Sequence, residues 1–480
     1  MREEITQLEA DSRVLEPDAG VRYNFNSQVL EYADRFLERI DDGKGYEKDD
    51  TSSRLYDLPV SETGNDLTRL LNILAGAVDY PGINPASGGH LGYIPGGGIY
   101  PSALADYLAD ITNRYAGIYF ANPGAVRMEN MLIKWMADMV GYPAGTMGNL
   151  TSGGSIANLI AITTARDALG IRAADIPNTI LYLTEQTHHC VQKAIRIAGM
   201  SECQLRMVPL DDRHRMDANI LHELIRDDKR KGLHPAVVIA SLGSTDAGAV
   251  DPIADIAEIT TREGLWLHID AAYGGFFQLV PELSHFFKGV EKSDSYILDP
   301  HKGLFLPYGT GTVLIREGAY LHASHWYKAN YMQDAANPGE FSPADLSPEL
   351  TKHFRGLRMW LPLQLFGVAP FRIALKEKWK LALYFYEKIR EAGFETGPPP
   401  DLSVVTYRFK EGIDDPNIFN QQLIAAIHRD GRIFISSTLI KGVFWLRLAV
   451  LCFRTHLWHV DLLLDMLVTE RDRLLEQHRA

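Results

Sequence analysis

Short apolar runs alternate with segments of helical periodicity between about residues 104 and 316. Such runs are typical of strands that are covered on both faces of a sheet. The predicted strands are 179–184, 205–209, 236–241, 265–270, 296–299 and 311–316, and the predicted helices between them are 155–169, 191–199, 217–231 and 252–263. This alternation predicts an α/β domain with a largely parallel sheet, in which ligands bind at the carboxyl ends of the strands.

The segments on either side of this region have different patterns. Near the N-terminus, NSQVLEYADRFLERI predicts an amphipathic helix whose apolar face needs a covering surface. Residues 358–389 are predicted to be helical, with breaks at Pro362 and Pro370. Beyond the prolines at 398–400, further strand and helix patterns predict a small α+β unit. We therefore predict an N-terminal segment with helix and loop over 1–103, a large α/β domain over 104–397 and a small C-terminal α+β domain over 398–480.

Two stretches lack a regular period. The first, 81–101, is rich in glycine and proline and cannot continue a helix or a central strand. It is either a linker or a loop that lines a pocket, and its large side chains His90, Tyr93 and Tyr100 favour the pocket. The second, 333–350, is polar with three prolines, and we predict that it is a mobile lid.

Composition and charge narrow the class of protein. Of the 480 residues, 46% are hydrophobic, so a large core can form. The net charge of −13 argues against nucleic acid or an anionic membrane as the main partner. Three cysteines without a CxxC pair do not suggest a disulfide framework or a zinc site. The charged start MREEITQLEADSR does not resemble a signal peptide and no run of 18 apolar residues occurs, so we expect a soluble cytoplasmic enzyme.

A lysine follows one of the predicted buried strands, in the sequence DPHKG at 299–303. An unpaired ammonium is costly in such a place, whereas a neutral amine is a nucleophile that forms Schiff bases with carbonyl compounds and with pyridoxal phosphate. Lys302 is therefore a candidate catalytic residue. The alternative is a surface turn, which proline and glycine also favour.

An aspartate ends another predicted strand, in LWLHIDAAYGG at 265–275. A carboxylate that is held against a pyridine nitrogen keeps the ring protonated, and the protonated ring withdraws electrons from a carbanion. The small residues after Asp270 leave room for a flat ring. The alternative is that Asp270 caps a helix.

Three weaker signals follow predicted strands or open a helix. The segment LTSGGSIAN at 150–158 places glycines and Ser155 at a helix start, which suits a phosphate, although it is neither a Walker A loop nor GxGxxG. His188, in TEQTHHC, can stack on a conjugated ring; adjacent His188 and His189 do not converge on one ion, so no metal site is predicted. Thr245 offers a hydroxyl group at another strand end. Together these residues meet the needs of one ligand, pyridoxal phosphate.

The motifs TSGGSIAN, EQTHHC, SLGSTDAG, HIDAAYGG and DPHKG, in this order, resemble those of the group II pyridoxal-phosphate-dependent amino-acid decarboxylases, which include aromatic amino-acid and glutamate decarboxylases. The resemblance runs from about residue 90 into the C-terminal unit. It implies the aspartate aminotransferase-like type I fold, pyridoxal phosphate as cofactor, an amino acid as small-molecule substrate, and a homodimer with active sites at the interface. It also implies that 81–101 is a loop on the substrate side.

The resemblance assigns roles position by position. Lys302 resembles the Schiff-base lysine, Asp270 the partner of the pyridine nitrogen, and His188 the histidine on the ring; these three are the predicted catalytic residues. The remaining predicted cofactor-binding residues are Gly154 and Ser155 at the phosphate, Ala272 on the face of the ring opposite the histidine, and Thr245 and His301 in the cofactor pocket.

The implied reaction is decarboxylation of an L-amino acid to the amine and CO2 through an external aldimine and a quinonoid. The sequence departs from the family in two places. Asp299 stands where the aromatic amino-acid enzymes tend to have asparagine, and 333–350 lacks the tyrosine that protonates the carbanion, the nearest being Tyr327 and Tyr331. In the family, loss of that hydroxyl is associated with oxidative deamination to an aldehyde. An aldehyde synthase, a carbon–carbon lyase, an aminotransferase and a non-enzymatic scaffold therefore remain as alternatives.

Overall fold

The structure is a computed structural model that describes residues 1–327 and 340–479. The N-terminal segment contains α1 (Arg2–Ser12), α2 (Ala19–Glu38), α3 (Leu67–Leu74), β1 (Tyr46–Glu47), β2 (Gly82–Ile83) and β3 (His90–Leu91). Helix α2 begins at Asp18, whose carboxylate accepts a hydrogen bond from the Val21 N–H at 2.9 Å. The predicted amphipathic helix is confirmed as part of α2. Within the described range 1–327, none of these three helices fully buries a residue, and several of their apolar side chains are exposed.

The central sheet has seven strands in the order β4-β10-β9-β8-β7-β5-β6. Their bounds are β4 Met147–Thr151, β5 Thr179–Leu183, β6 Gln204–Met207, β7 His234–Ser241, β8 Trp266–Asp270, β9 Ser295–Leu298 and β10 Gly311–Ile315. Within this sheet, the described strands are parallel except at β10, which runs antiparallel to both of its neighbours, and this confirms the largely parallel sheet. Strand β4 was not predicted, because Gly148 and Asn149 interrupt its apolar pattern; Asn149 is buried and donates to the Pro343 carbonyl at 2.8 Å.

Helices cover both faces of this sheet. They are α4 (Tyr100–Thr112), α5 (Pro123–Val140), α6 (Gly154–Ala168), α7 (His189–Ile197), α8 (Ala218–Arg230), α9 (Ile253–Glu263), the short turn α10 (Pro300–Gly303), α11 (Gly318–His325), α12 (Arg355–Phe366) and α13 (Ala369–Glu391). Along β7, Val238 and Ala240 join the core on one face, while Val237 and Ile239 join the core on the other. Such two-sided burial explains the nearly continuous apolar runs in the sequence. Among the described helices, none combines the length and the apolar character that crossing a membrane requires.

The C-terminal unit is a second, smaller sheet with helices. Its elements are β11 (Glu395–Thr396), β12 (Val404–Arg408), β13 (Phe434–Ile440), β14 (Val443–Ala449), α14 (Pro416–Asp430) and α15 (Leu457–Arg479). The sheet order is β11-β12-β14-β13-β3, and β3 from the N-terminal segment pairs in parallel with β13. The glycine-rich stretch 81–101 is therefore attached to the C-terminal sheet by its His90–Leu91 strand. The division into three domains at 103 and 397 stays a prediction.

Of the two prolines at which helix breaks were predicted, one lies at the start of a helix and the other lies within one. Pro370 lies in the first turn of α13, where its missing N–H would have no helical partner anyway. The predicted break at Pro362 is wrong, since α12 continues through this residue to Phe366. Pro362 and Met359 are both buried in α12, so we attribute the tolerated proline to packing that offsets the lost helical hydrogen bond.

The predicted lid is only partly described. Residues 333–339 lie outside the described residues. Residues 340–350 are packed against the rest of the large domain: Leu346 is 2% exposed, and the Tyr115 hydroxyl donates to the Leu350 carbonyl at 2.9 Å. The mobility of this segment stays a prediction. Just beyond, the buried Lys352 ammonium donates to Glu129 at 2.7 Å. Since breaking a buried pair costs about 3–5 kcal/mol, this contact holds the segment firmly beside α5.

Candidate active site

A cavity of about 290 Å³ lies at the carboxyl ends of β5, β7, β8 and β9, next to the N-terminus of α6. This is the edge at which ligands bind in sheets of this type. All eight site residues predicted from the sequence line this cavity: Gly154, Ser155, His188, Thr245, Asp270, Ala272, His301 and Lys302. They come from five separate segments of the chain, so only the fold brings them together.

The start of α6 forms a tight cradle on one side of the cavity. A Cβ atom on Gly154 would lie 2.9 Å from Asp299 Oδ2 and 3.4 Å from Ala272 Cβ, so a larger residue would not fit. The N-cap residue is Gly153, and within the described residues no side chain caps this helix end. The first N–H groups of α6 and the Ser155 hydroxyl are therefore available to an anion, which the helix dipole also attracts.

Lys302 lies in the short turn α10, directly after β9. Its Nζ is 3.4 Å from Asp299 Oδ2, and its side chain is 26% exposed, so the amine reaches the cavity. The Asp299 side chain is 2% exposed, and its Oδ1 has no hydrogen-bond partner among the described residues. His301 Nδ1 donates to the Thr310 carbonyl at 2.6 Å, because a carbonyl oxygen can only accept. The other ring nitrogen, Nε2, lies 3.7 Å from Asp299 Oδ2.

Asp270 is the last residue of β8 and is held by two hydrogen bonds. Its Oδ1 accepts from the Ala272 N–H at 3.1 Å, and its Oδ2 accepts from Asn158 Nδ2 at 3.2 Å. Asn158 was not predicted as a site residue. It lies four residues after Gly154 on α6, and this spacing places both residues on the same helix face, so the signal was present in the sequence.

His188 is the N-cap of α7, and its Nδ1 accepts from the Cys190 N–H at 3.3 Å. The ring proton is therefore on Nε2. Burial lowers the pKa of His188, and the nearby Asp270 carboxylate partly offsets this effect. His188 is thus a neutral imidazole at neutral pH. Cys190 also lines the cavity, but burial raises the pKa of its thiol to about 12, so it is not a thiolate nucleophile.

A second cavity of about 290 Å³ adjoins the first and shares His301 with it. Its walls are mostly apolar or small, including Phe36, Ile83, Leu306, Pro307 and Gly96–Gly98. A Cβ atom on Gly96 would overlap the His301 carbonyl oxygen, so glycine is required for this loop to lie against the lysine segment. The pocket-lining interpretation of 81–101 is therefore favoured over the linker. Of the described residues that line the second cavity, none is a lysine or an arginine.

The residues of the first cavity fit pyridoxal phosphate, the cofactor predicted from the sequence. The uncapped start of α6 suits the phosphate, the Lys302 amine suits the aldehyde, and the Asp270 carboxylate suits the ring nitrogen. The unpartnered Oδ1 of Asp299 is a further polar atom in this cavity that the described residues leave without a bond. Within the described ranges, no group of three metal-ligating side chains is placed to hold an ion.

Comparison with known proteins agrees with this fit. Residues 72–410 match the model of the pyridoxal-dependent decarboxylase conserved domain. The aromatic-L-amino-acid decarboxylase of Bacillus atrophaeus is 34% identical over 404 residues, which cover 82% of this chain and 84% of that protein. The phenylacetaldehyde synthase of Petunia hybrida is 27% identical over 393 residues, or 77% of this chain and 78% of that protein.

Among solved structures, TDC of Oryza sativa, crystallised with PLP and tryptamine, superimposes with a TM-score of 0.90 at 22% identity. The match covers 96% of this chain and 99% of that one, which confirms the predicted type I fold. The chain belongs to the pyridoxal-dependent decarboxylase family and is a carboxy-lyase with pyridoxal phosphate as its cofactor.

Proposed function

We propose that this protein decarboxylates an aromatic L-amino acid to the corresponding amine and CO2. The observation that carries the proposal is the pair of adjoining cavities. One is lined by Lys302 and Asp270, and the other has mostly apolar or small walls and, among its described residues, no lysine or arginine. When bound, pyridoxal phosphate joins the substrate amino group and accepts the electron pair that the departing CO2 leaves behind.

We assign the cofactor contacts as follows. Lys302 would hold the cofactor through its Nζ amine. Asp270 faces the ring nitrogen and keeps a proton on it. Gly154, Ser155 and the N–H groups at the start of α6 hold the phosphate. Ala272 and Thr245 lie beside the ring, and His301 lies between the cofactor cavity and the second cavity. The support for these roles is that all of these residues line one cavity.

His188 is proposed to stack on the ring and to present a single N–H, on Nε2, as a hydrogen-bond donor towards the ligand. The hydrogen bond from Cys190 N–H to Nδ1 places this proton on Nε2. A neutral imidazole with a single N–H does not add a positive charge beside the protonated ring. The helix cap fixes the orientation of the ring, so this N–H keeps its direction.

The second cavity supports an aromatic rather than an acidic substrate. An acidic side chain needs a cation, and the described lining offers none. A flat apolar side chain gains free energy by leaving water for walls such as Phe36, Ile83 and Pro307. The aromatic-L-amino-acid decarboxylase of Bacillus atrophaeus, the relative at 34% identity, carries this substrate class in its name.

A second candidate, favoured by one observation, is an aldehyde synthase. The sequence 333–350 contains no tyrosine, and one relative is named phenylacetaldehyde synthase. This reaction consumes dioxygen and water in addition to the amino acid, and it releases CO2, the aldehyde, ammonia and hydrogen peroxide. It differs from decarboxylation in what happens to the carbanion, because oxidation replaces protonation.

The test is a panel of L-amino acids with the holoenzyme, in which CO2, amine, aldehyde, ammonia and peroxide are all measured. We expect phenylalanine, tyrosine, 3,4-dihydroxyphenylalanine or tryptophan to yield CO2 and an equal amount of amine. Aldehyde and peroxide in equal amounts, with dioxygen uptake, establish the second candidate. Turnover of glutamate but of no aromatic amino acid contradicts the proposed substrate class.

We also propose a homodimer. Helices α1 to α3 bury no residue within the described range 1–327, and exposed apolar side chains such as Phe25, Val29 and Leu30 on α2 lie open. A second copy of the chain is the occupant that the family resemblance implies. Sedimentation at twice the chain mass of 53.7 kDa supports the dimer, and a monomer at micromolar concentration contradicts it.

A further inference from the structure

Behind Asp270 lies a row of buried polar side chains, of which Asn158 also lines the first cavity. The Asn158 side chain is fully buried and lies between Asp270 and His268. Its Nδ2 is 3.2 Å from Asp270 Oδ2 and 3.0 Å from the Gly154 carbonyl oxygen. Its Oδ1 is 2.8 Å from His268 Nε2.

The chemistry of these neighbours fixes the direction of each bond at Asn158. The Gly154 carbonyl and the Asp270 carboxylate can only accept, so the amide nitrogen must face them. The amide oxygen then faces His268, which must donate from Nε2. If the Asn158 amide were flipped, its oxygen would face the Gly154 carbonyl and the Asp270 carboxylate, which are both acceptors. Neither of these two hydrogen bonds could then form.

The row continues through His268 to Ser295 and Trp266. His268 is fully buried, and burial lowers its pKa to about 4, so the ring is neutral at neutral pH. Because Nε2 carries the ring proton, Nδ1 accepts from the Ser295 hydroxyl at 2.8 Å. The Ser295 oxygen in turn accepts from the indole N–H of Trp266 at 2.8 Å. The hydrogen bonds that link Trp266, Ser295, His268 and Asn158 therefore all run in one direction, towards Asp270.

We propose that Asn158, held in place by His268 and Ser295, is a positioning residue that fixes the Asp270 carboxylate against the ring nitrogen of pyridoxal phosphate. This inference rests on the role proposed for Asp270. Oδ1 is already bound by the Ala272 N–H, so the bond from Asn158 to Oδ2 fixes the second oxygen and leaves the carboxylate one orientation.

The composition of the row supports positioning over a purely structural role. The side-chain partners behind Asn158 are uncharged, so they orient the carboxylate without cancelling its negative charge. A lysine or an arginine in the same place would also hold Asp270, but its charge would oppose the protonated ring nitrogen. His268 lies on β8 itself, two residues before Asp270, so the row and the carboxylate share one rigid strand.

The test compares binding of two cofactors to the full-length apoenzyme by equilibrium dialysis. One is pyridoxal phosphate, and the other is deaza-pyridoxal phosphate, which has carbon in place of the ring nitrogen. We expect Asn158→Leu to weaken binding of pyridoxal phosphate about tenfold, since a hydrogen bond to a charged group is lost. Binding of the deaza analogue should change less than about twofold, because it has no nitrogen for Asp270 to meet.

A second pair of variants provides a conservative rescue. His268→Gln retains an N–H group that can donate to Asn158 Oδ1, whereas His268→Phe does not. We expect the phenylalanine variant to lose affinity for pyridoxal phosphate selectively, and the glutamine variant to lose much less. This pair decides the question if Asn158→Leu does not fold. Asn420→Leu, which removes an equally buried amide in the C-terminal unit, is the matched control and should leave both affinities unchanged.

Asp270→Asn distinguishes failure of the role proposed for Asp270 from failure of the role proposed for Asn158. If Asp270→Asn weakens both cofactors equally, the proposed role of Asp270 fails. If Asp270→Asn is selective for pyridoxal phosphate but Asn158→Leu and His268→Phe are not, the role of Asp270 stands and the positioning role is overturned. Equal weakening of both cofactors by Asn158→Leu also overturns it, since a merely structural residue does not distinguish nitrogen from carbon.

Discussion

We expect Lys302→Ala to abolish turnover and to remove the covalent link that we propose between Lys302 and the cofactor. Lys302 is the lysine that lines the cofactor cavity, and its Nζ lies 3.4 Å from Asp299, within reach of that cavity. Without this amine, the cofactor is neither tethered nor released by a neighbouring group, so we expect the rate to fall by ~10³-fold or more. Steady-state kinetics measures the loss. Borohydride reduction followed by peptide mass spectrometry should label position 302 in the natural protein and leave the variant unlabelled.

Two controls make this result specific. Lys193→Ala removes an exposed lysine on α7 and should retain full activity. Lys302→Arg keeps a positive charge beside Asp299 but cannot form the same covalent link, because a guanidinium stays protonated. If Lys302→Arg retains activity, Lys302 acts through its charge alone. An active Lys302→Ala protein, purified free of host decarboxylase, contradicts the assignment altogether.

The sequence predicted those features that depend on local pattern. Six of the seven strands of the central sheet were predicted, because two-sided burial makes them short apolar runs. The eight site residues were found because they follow strands or open a helix, and the topology of a parallel sheet brings strand ends together. Strand β4 was missed because its Asn149 is polar, and the partners that satisfy it, Pro343 and Lys352, are about 200 residues away.

What the sequence could not provide are contacts between distant segments. The loop 340–350 was predicted to be part of a mobile lid from its prolines and polar residues, and its packing depends on Tyr115 and on the buried Glu129–Lys352 pair. The row behind Asp270 joins residues from α6, β8 and β9. Each of these side chains is unremarkable in its own segment, and their common role becomes visible only through the distances between them.

Asp270→Asn tests the electronic role of the carboxylate. The change keeps the size of the side chain and one oxygen for the Ala272 N–H, but it removes the negative charge. If the new side chain keeps its oxygen towards the Ala272 N–H, its NH2 group faces the NH2 group of Asn158, and two donors meet. A ring nitrogen without an anionic partner loses its proton more easily, and the carbanion is then less stabilised. We expect kcat to fall by ~10²–10³-fold, comparable to the loss of a preorganised electrostatic contact.

The measurement must separate this effect from loss of cofactor, so kcat is compared with pyridoxal phosphate at saturating concentration. Asp255→Asn, a charge-matched change at an exposed position in the first turn of α9, is the control and should leave kcat unchanged. If Asp270→Asn at saturation keeps kcat within about threefold of the natural protein, the carboxylate contributes only to binding. If kcat of Asp270→Asn stays low even when pyridoxal phosphate is added to saturation, the charge of Asp270 must act in the chemical step. Uniform binding cannot change kcat.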